Sequence, residues 1–160
     1  MARPRVTIIP KLIVPVGREA IAIANRPTDF DEMSGRTMSK AGLCVMIVNS
    51  GVEPVTVAEI GLSGRFGQPR IVMRDPLLHD TKPWLSRLRA DELVIAYFTS
   101  DIIGHHVLSA MRRAFASSLD GDPWSGASPA LLWYVGSRKP AWMRRRRFRS
   151  SAKPDPLMWN

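Results

Sequence analysis

Cysteine is almost missing from this chain: among 160 residues Cys44 is the only thiol. An intramolecular disulfide framework and a thiolate metal cage are thereby excluded. Cys44 precedes Val45, Met46, Ile47 and Val48, and in that company it is expected to be a small buried side chain. Long apolar runs are missing too, since none approaches the roughly 18 residues of a membrane-spanning helix. Met1–Pro10 carries basic residues but neither the apolar core nor the cleavage site of a signal peptide. The expectation is a product made in the cytoplasm and kept there or assembled from there, with no membrane partner.

Catalytic signatures are equally scarce. His79, His105 and His106 have no H-E-x-x-H setting. Adjacent positions on a helix point about 100° apart, so His105 and His106 cannot chelate one ion without a third element. Gly61-Leu62-Ser63-Gly64-Arg65-Phe66-Gly67 is followed by Gln68-Pro69 rather than by Lys-Ser/Thr and a helix. It therefore reads as a hairpin turn and not as a phosphate cradle. Asp29-Phe30-Asp31-Glu32 and Asp120-Gly121-Asp122 lack the full calcium-ligand series, and no serine lies in a G-x-S-x-G setting. The expectation is a non-enzyme with no cofactor, no metal and no small-molecule substrate.

What the chain does have is positive charge, and it is unevenly placed. The formal net charge is +9, yet residues 1–135 carry 15 Lys/Arg against 13 Asp/Glu, while residues 136–160 carry 8 against 1. The basicity belongs to the C-terminal segment, where Arg144, Arg145, Arg146, Arg147 and Arg149 surround Phe148. On an extended strand such a run cannot be half-buried without partners that neutralise it. Those partners are an acidic protein surface, met bidentately by guanidinium groups, or the phosphates of nucleic acid. A solvated edge strand that blocks unwanted pairing is the third possibility. Beyond it a Pro-containing spacer leads to Leu157-Met158-Trp159, an apolar tip suited to docking on a neighbour.

Strand signals dominate the body. Val6–Ile9 and Lys11–Val16 are β-branched runs broken by Pro10 and Pro15, which points to an edge or an arm. Arg18–Ala24 carries Ile21 and Ile23 on one side, and Asn25–Lys40 reads as a long loop. Leu43–Val48 is a strand. Asn49-Ser50-Gly51-Val52-Glu53-Pro54 supplies hairpin chemistry, and Val55–Ile60 alternates with Val55, Val57 and Glu59 on one face. Pro69–Arg74 returns from the glycine-rich turn, and Glu92–Phe98 is a further strand. Asp75–Pro83 and Asp120–Ser128 read as loops. The spacing of Ile103, Val107, Leu108, Met111 and Phe115 predicts one helix over about 100–117. Ala130–Val135 reads as a buried strand and Ala141–Phe148 as a last one. Trp84 and Trp133 are expected in the core.

Val48-Asn49-Ser50-Gly51, Glu53-Pro54-Val55-Thr56-Val57, Gly61-Leu62 and Leu88-Arg89-Ala90-Asp91-Glu92 together resemble an immunoglobulin-like sandwich pattern. The chain is similar in this to uncharacterised bacterial and phage structural proteins, over roughly residues 42–98. The fold expected is mainly β: an immunoglobulin-like antiparallel β-sandwich with one inserted α-helix and extended terminal arms. Residues 1–17 form an N-terminal arm or edge strand, 18–149 the sandwich and 150–160 a tail. The resemblance implies adhesion, decoration or assembly rather than catalysis. The expected role is therefore a structural component of a multi-subunit particle, a phage virion protein such as a capsid decoration, head–tail connector or tail component. Arg144 to Arg147 and Arg149, with Met158, Trp159 and Trp124, are its expected contacts. The alternative is a nucleic-acid-binding module using the same arginines.

Overall fold

The computed structural model describes residues 5–16, 20–30, 41–80, 83–84, 87–98, 105–121 and 123–138. Among them run strands β1 (Val6–Val16), β2 (Ala20–Ala24), β3 (Gly42–Asn49), β4 (Val55–Ser63) and β5 (Arg70–Met73). Strands β6 (Leu77–Leu78), β7 (Arg87–Leu88), β8 (Leu93–Phe98), β9 (Arg113–Ser118) and β10 (Pro123–Gly126) complete the set. Two short helices, α1 (His105–Ala110) and α2 (Pro129–Ser137), and one 3-10 turn at Pro27–Phe30 accompany them. The chain is thus mainly β. One antiparallel sheet has the order β2-β1-β3-β8-β6, the other β10-β9-β4-β5 with β7 also on β4.

The inward-facing residues of the two sheets share one core. Leu12, Val14, Leu43, Val45, Ile47 and Ala96 enter it from the first sheet, and Val57, Ile60, Leu62, Ala114 and Ala116 from the second. Trp84, Trp124 and Trp133 pack against it half-buried.

β1 is a full strand of the sheet rather than an arm, and its prolines show how. It pairs with β3 over Val6–Ile13 and with β2 over Leu12–Val16, so both neighbours are present only at Leu12 and Ile13. In an antiparallel ladder the N–H and C=O of one residue point to the same side, and successive residues alternate sides. The Pro10 carbonyl accepts the Ser128 hydroxyl at 2.6 Å, so Pro10 faces away from β3, at a level where β2 has ended. Pro15, of opposite parity, faces the β3 side, where β3 has no partner residue. Each missing N–H therefore lies where no ladder bond was available.

Asn49–Pro54 is not a hairpin. β3 and β4 belong to different sheets, and the turn carries the chain across the core. Its hinge is Asn49, which is fully buried. The Asn49 Nδ2 donates to the carbonyls of Glu53 (2.8 Å), Arg89 (3.1 Å) and Leu88 (3.3 Å), and Oδ1 accepts the Gly51 N–H at 3.0 Å. One side chain thus ties the β3–β4 corner to the turn before β8.

On β4 the expected alternation holds for Val55 and Val57 and then changes phase. The pairing with β9 shifts between Val57 and Glu59, a bulge at Ala58. Past it Ile60 and Leu62 point inward and Glu59 outward.

Three further corrections concern helices and loops. The helix expected over 100–117 is confined, among described residues, to His105–Ala110, and Arg113–Ser118 is a strand between β4 and β10. Leu108, Met111 and Phe115 are all buried, but from different elements, so their helical spacing is coincidental. Ala130–Val135 is helical: the Ser128 hydroxyl accepts the Leu131 N–H, Pro129 opens the helix, and Ala130, Leu131, Tyr134 and Val135 are buried. The stretches expected as loops at Asp75–Pro83 and Asp120–Ser128 contain β6 and β10. The last expected strand, Ala141–Phe148, and the tail 150–160 lie outside the described residues.

Candidate interaction surfaces

Of the contact residues expected from the sequence, Arg144, Arg145, Arg146, Arg147, Arg149, Met158 and Trp159 lie outside the described residues. Trp124 is described. It sits on β10 opposite Ala116, packs half-buried against the core and lines a groove at the same end of the second sheet.

That groove encloses about 320 Å³ and follows from strand register. Ser63 on β4 is directly opposite Arg70 on β5 and Arg113 on β9, so two arginines flank one serine in a single row. In the next row Gly61 is opposite Phe115. A Cβ at Gly61 would meet the Phe115 ring at 2.9 Å, so the glycine makes room for the aromatic floor. The Arg70 guanidinium lies 4.0 Å over that ring and pairs with Glu59 at 2.8 Å. Arg113 donates to the Ser125 hydroxyl at 3.2 Å. Arg65, from the β4–β5 turn, completes the rim beside Phe66, which is 89% exposed. These residues were not legible from spacing, because Arg113 and Phe115 fell within the expected helix and register alone unites them with Arg70.

The second surface is the outer face of the first sheet. Register places Thr7–Val48–Leu93, Ile9–Met46–Ile95 and Lys11–Cys44–Tyr97–Leu77 in successive cross-strand rows, followed by Ile13–Ile23 and Pro15–Ile21. Lys11 is the one formal charge in those rows. Leu77 is 67%, Leu93 51% and Ile21 39% exposed. The signal was present in the sequence: Leu43–Val48 is apolar at both parities, the mark of a strand covered on both sides.

Cys44 is buried as expected but faces outward, away from Leu43 and Val45. Burial pushes its thiol up to about 11, with Lys11 pulling the other way. The folded chain therefore keeps this proton where the unfolded chain, at 9.0, has released it. The contribution to stability is complete below pH 9 and is lost as pH rises towards 11. Urea midpoints should fall over that interval, and Cys44→Ala should remove part of the fall. At pH 8, alkylation by iodoacetamide should run about 100-fold slower in the folded than in the urea-unfolded chain; equal rates would refute the burial.

On the same face the His79 Nδ1 is hydrogen-bonded to the Tyr97 hydroxyl, and His106 is exposed. Among the described residues no three His, Cys, Asp or Glu side chains are grouped to hold a metal, and no helix is long and apolar enough to cross a membrane. No protein-family model, no curated protein and no solved structure matches the chain.

Proposed function

We propose that this chain is a non-enzymatic structural subunit of a multi-subunit particle, an immunoglobulin-like sandwich that docks on its neighbours. A phage virion is the setting we favour, as a capsid decoration, head–tail connector or tail component. The observation that carries the reading is the apolar outer face of the first sheet. Exposed apolar patches of several hundred Å² mark interaction surfaces.

The neighbour we assign to this face is a second copy of the chain. With about 4.8 Å between strands and about 6.8 Å between successive rows, the face outlines about 500 Å². Part of that outline is already covered within the chain, Cys44 fully and Met46, Ile95 and Tyr97 partly, so two such faces bury less than about 1,000 Å² together, in the range of weak, concentration-dependent association. The rows carry no charge but Lys11, so like faces meet without an opposing ion pair to satisfy.

Light scattering of the full chain over a concentration series tests this. The expected species is a dimer or larger. Met46→Lys, at the centre of the second row, should return it to monomer with an unchanged circular dichroism spectrum, since the lysine stem stays on the face and its ammonium reaches water. A wild-type monomer at all concentrations would overturn the reading. So would an oligomer indifferent to Met46→Lys. Steeply salt-dependent binding of DNA or RNA by a lone monomer would favour the nucleic-acid module instead.

A further inference from the structure

We propose that the groove on the outer face of the second sheet is a recognition site for the carboxylates of an acidic peptide segment. The site stands apart from the apolar face and does not depend on it. Arg70 and Arg113 flank Ser63 from the two neighbouring strands, about 10 Å apart across β4. Neither Arg113 nor Arg65 has a carboxylate within ion-pair distance among the described residues; Arg70 alone is paired, to Glu59. Like charges so placed repel unless an anion lies between them.

Ser63 supplies the independent observation. Its side chain is 6% exposed and lines the groove, yet its hydroxyl has no hydrogen-bond partner among the described residues. A buried hydroxyl without a partner costs free energy, and this one lies in the row of Arg70 and Arg113, whose guanidinium groups lean to the next row, over Phe115 and onto Ser125. A carboxylate entering the groove accepts from the serine and from Arg113 and Arg65, and competes with Glu59 for Arg70. The exposed Phe66 offers apolar surface to the segment that bears it, while the buried Phe115 ring supports Arg70 from below.

The reach of the positive field selects the ligand. Towards Ser117 and Pro123 the surface carries Glu59 and, apart from Arg70, no further cation among the described residues. A nucleic-acid backbone needs a continuing basic track, whereas one or two side-chain carboxylates fit a groove this short.

The test is titration of ¹⁵N-labelled full chain with acetyl-tetraglutamate amide at low salt. Shifts are expected at Ser63, Arg65, Arg113 and Ser125. The double variant Arg70→Gln/Arg113→Gln should weaken binding at least about tenfold, as expected for lost charge-assisted bonds. Ser63→Ala should weaken it while leaving the melting temperature unchanged or raised, because it removes an unpartnered hydroxyl. Glu59→Gln should strengthen binding by freeing Arg70. Arg112→Gln should change nothing, since that guanidinium is held by the carbonyls of Ser109 and Met111. Shifts confined to residues 139–160, or a double variant that binds like wild type, would overturn the proposal. A groove that takes inorganic phosphate or oligo-dT more tightly than the peptide would overturn it too.

Discussion

Asn49→Ala is expected to destabilise the fold by about 4 kcal/mol, lowering the melting temperature by about 8–16 °C. The side chain is fully buried and holds three carbonyls and one N–H from two chain segments. Alanine leaves those four backbone groups without their partner, the Leu88 carbonyl in a fully buried place and the other three in partly buried ones. Each stranded group costs about 1–3 kcal/mol, and relaxation of the turns recovers part. Asn49→Asp sharpens the test, because its shape is nearly the same. Where the amide donates, the carboxylate presents an oxygen to three carbonyl oxygens, so the aspartate variant should be at least as unstable as the alanine. Urea denaturation of both variants checks this. A loss below about 1 kcal/mol for either would show that the corner does not depend on this residue.

Gly126→Ala should cost about 3 kcal/mol, with a fall in melting temperature of about 6–12 °C. At Gly126 β10 crosses β1 so closely that an added Cβ would fall on the Ile8 carbonyl oxygen. The obstructing atom is backbone, so no side chain can rotate away and the two strands must part. Parting them disturbs Ile8 in the core and moves Trp124 two residues earlier on β10. Gly121→Ala is the informative companion. It places a Cβ in open space, and only its φ of +86° is unfavourable. Its cost should be about 1 kcal/mol. If the two variants lose equal stability, the crossing at Gly126 is looser than described.

Several strands were legible from the residues: β5 and β8 lie where their patterns place them and β3 where its apolar run does, whereas β4 continues to Ser63 through what reads as the start of the glycine-rich turn, so the β4–β5 hairpin closes later, at Gly64 and Pro69. Alternation fixes parity within a strand but says nothing of which sheet the next strand joins. Asn49-Ser50-Gly51 has hairpin chemistry, yet a corner between sheets uses the same residues. The decisive difference is the burial of Asn49 against Leu88 and Arg89, 39 and 40 residues away. Arg113–Ser118 was misread for a related reason: four successive buried residues, Ala114 to Ser117, have no period, and the sheet overrides local preference. For α2 the signal was present but outweighed. Ser128-Pro129 is a helix start, while Leu131 to Val135 in isolation suits a buried strand equally well.

The same limit explains the groove. Arg65, Arg70, Ser63 and Arg113 are spread over 51 positions of sequence, and no spacing rule joins them. Pairing of β4 with both β5 and β9 does. The apolar face, by contrast, was encoded in plain view at both parities of Leu43–Val48.

The prolines of β1 bear on how such a molecule meets others. The flank of β1 at Pro10 is covered from within the chain, by Ser128 and by β10 against Ile8, and a stray strand arriving on the other flank meets the ring of the exposed Pro15 where it would require a donor. Edge-to-edge zipping onto β1 is thereby blocked at that flank, while the outer strands of the two sheets, among the described residues, are β2, β6, β10 and β5. Face-to-face contact of the kind proposed for the first sheet is saturable: it closes on itself where an open edge would grow.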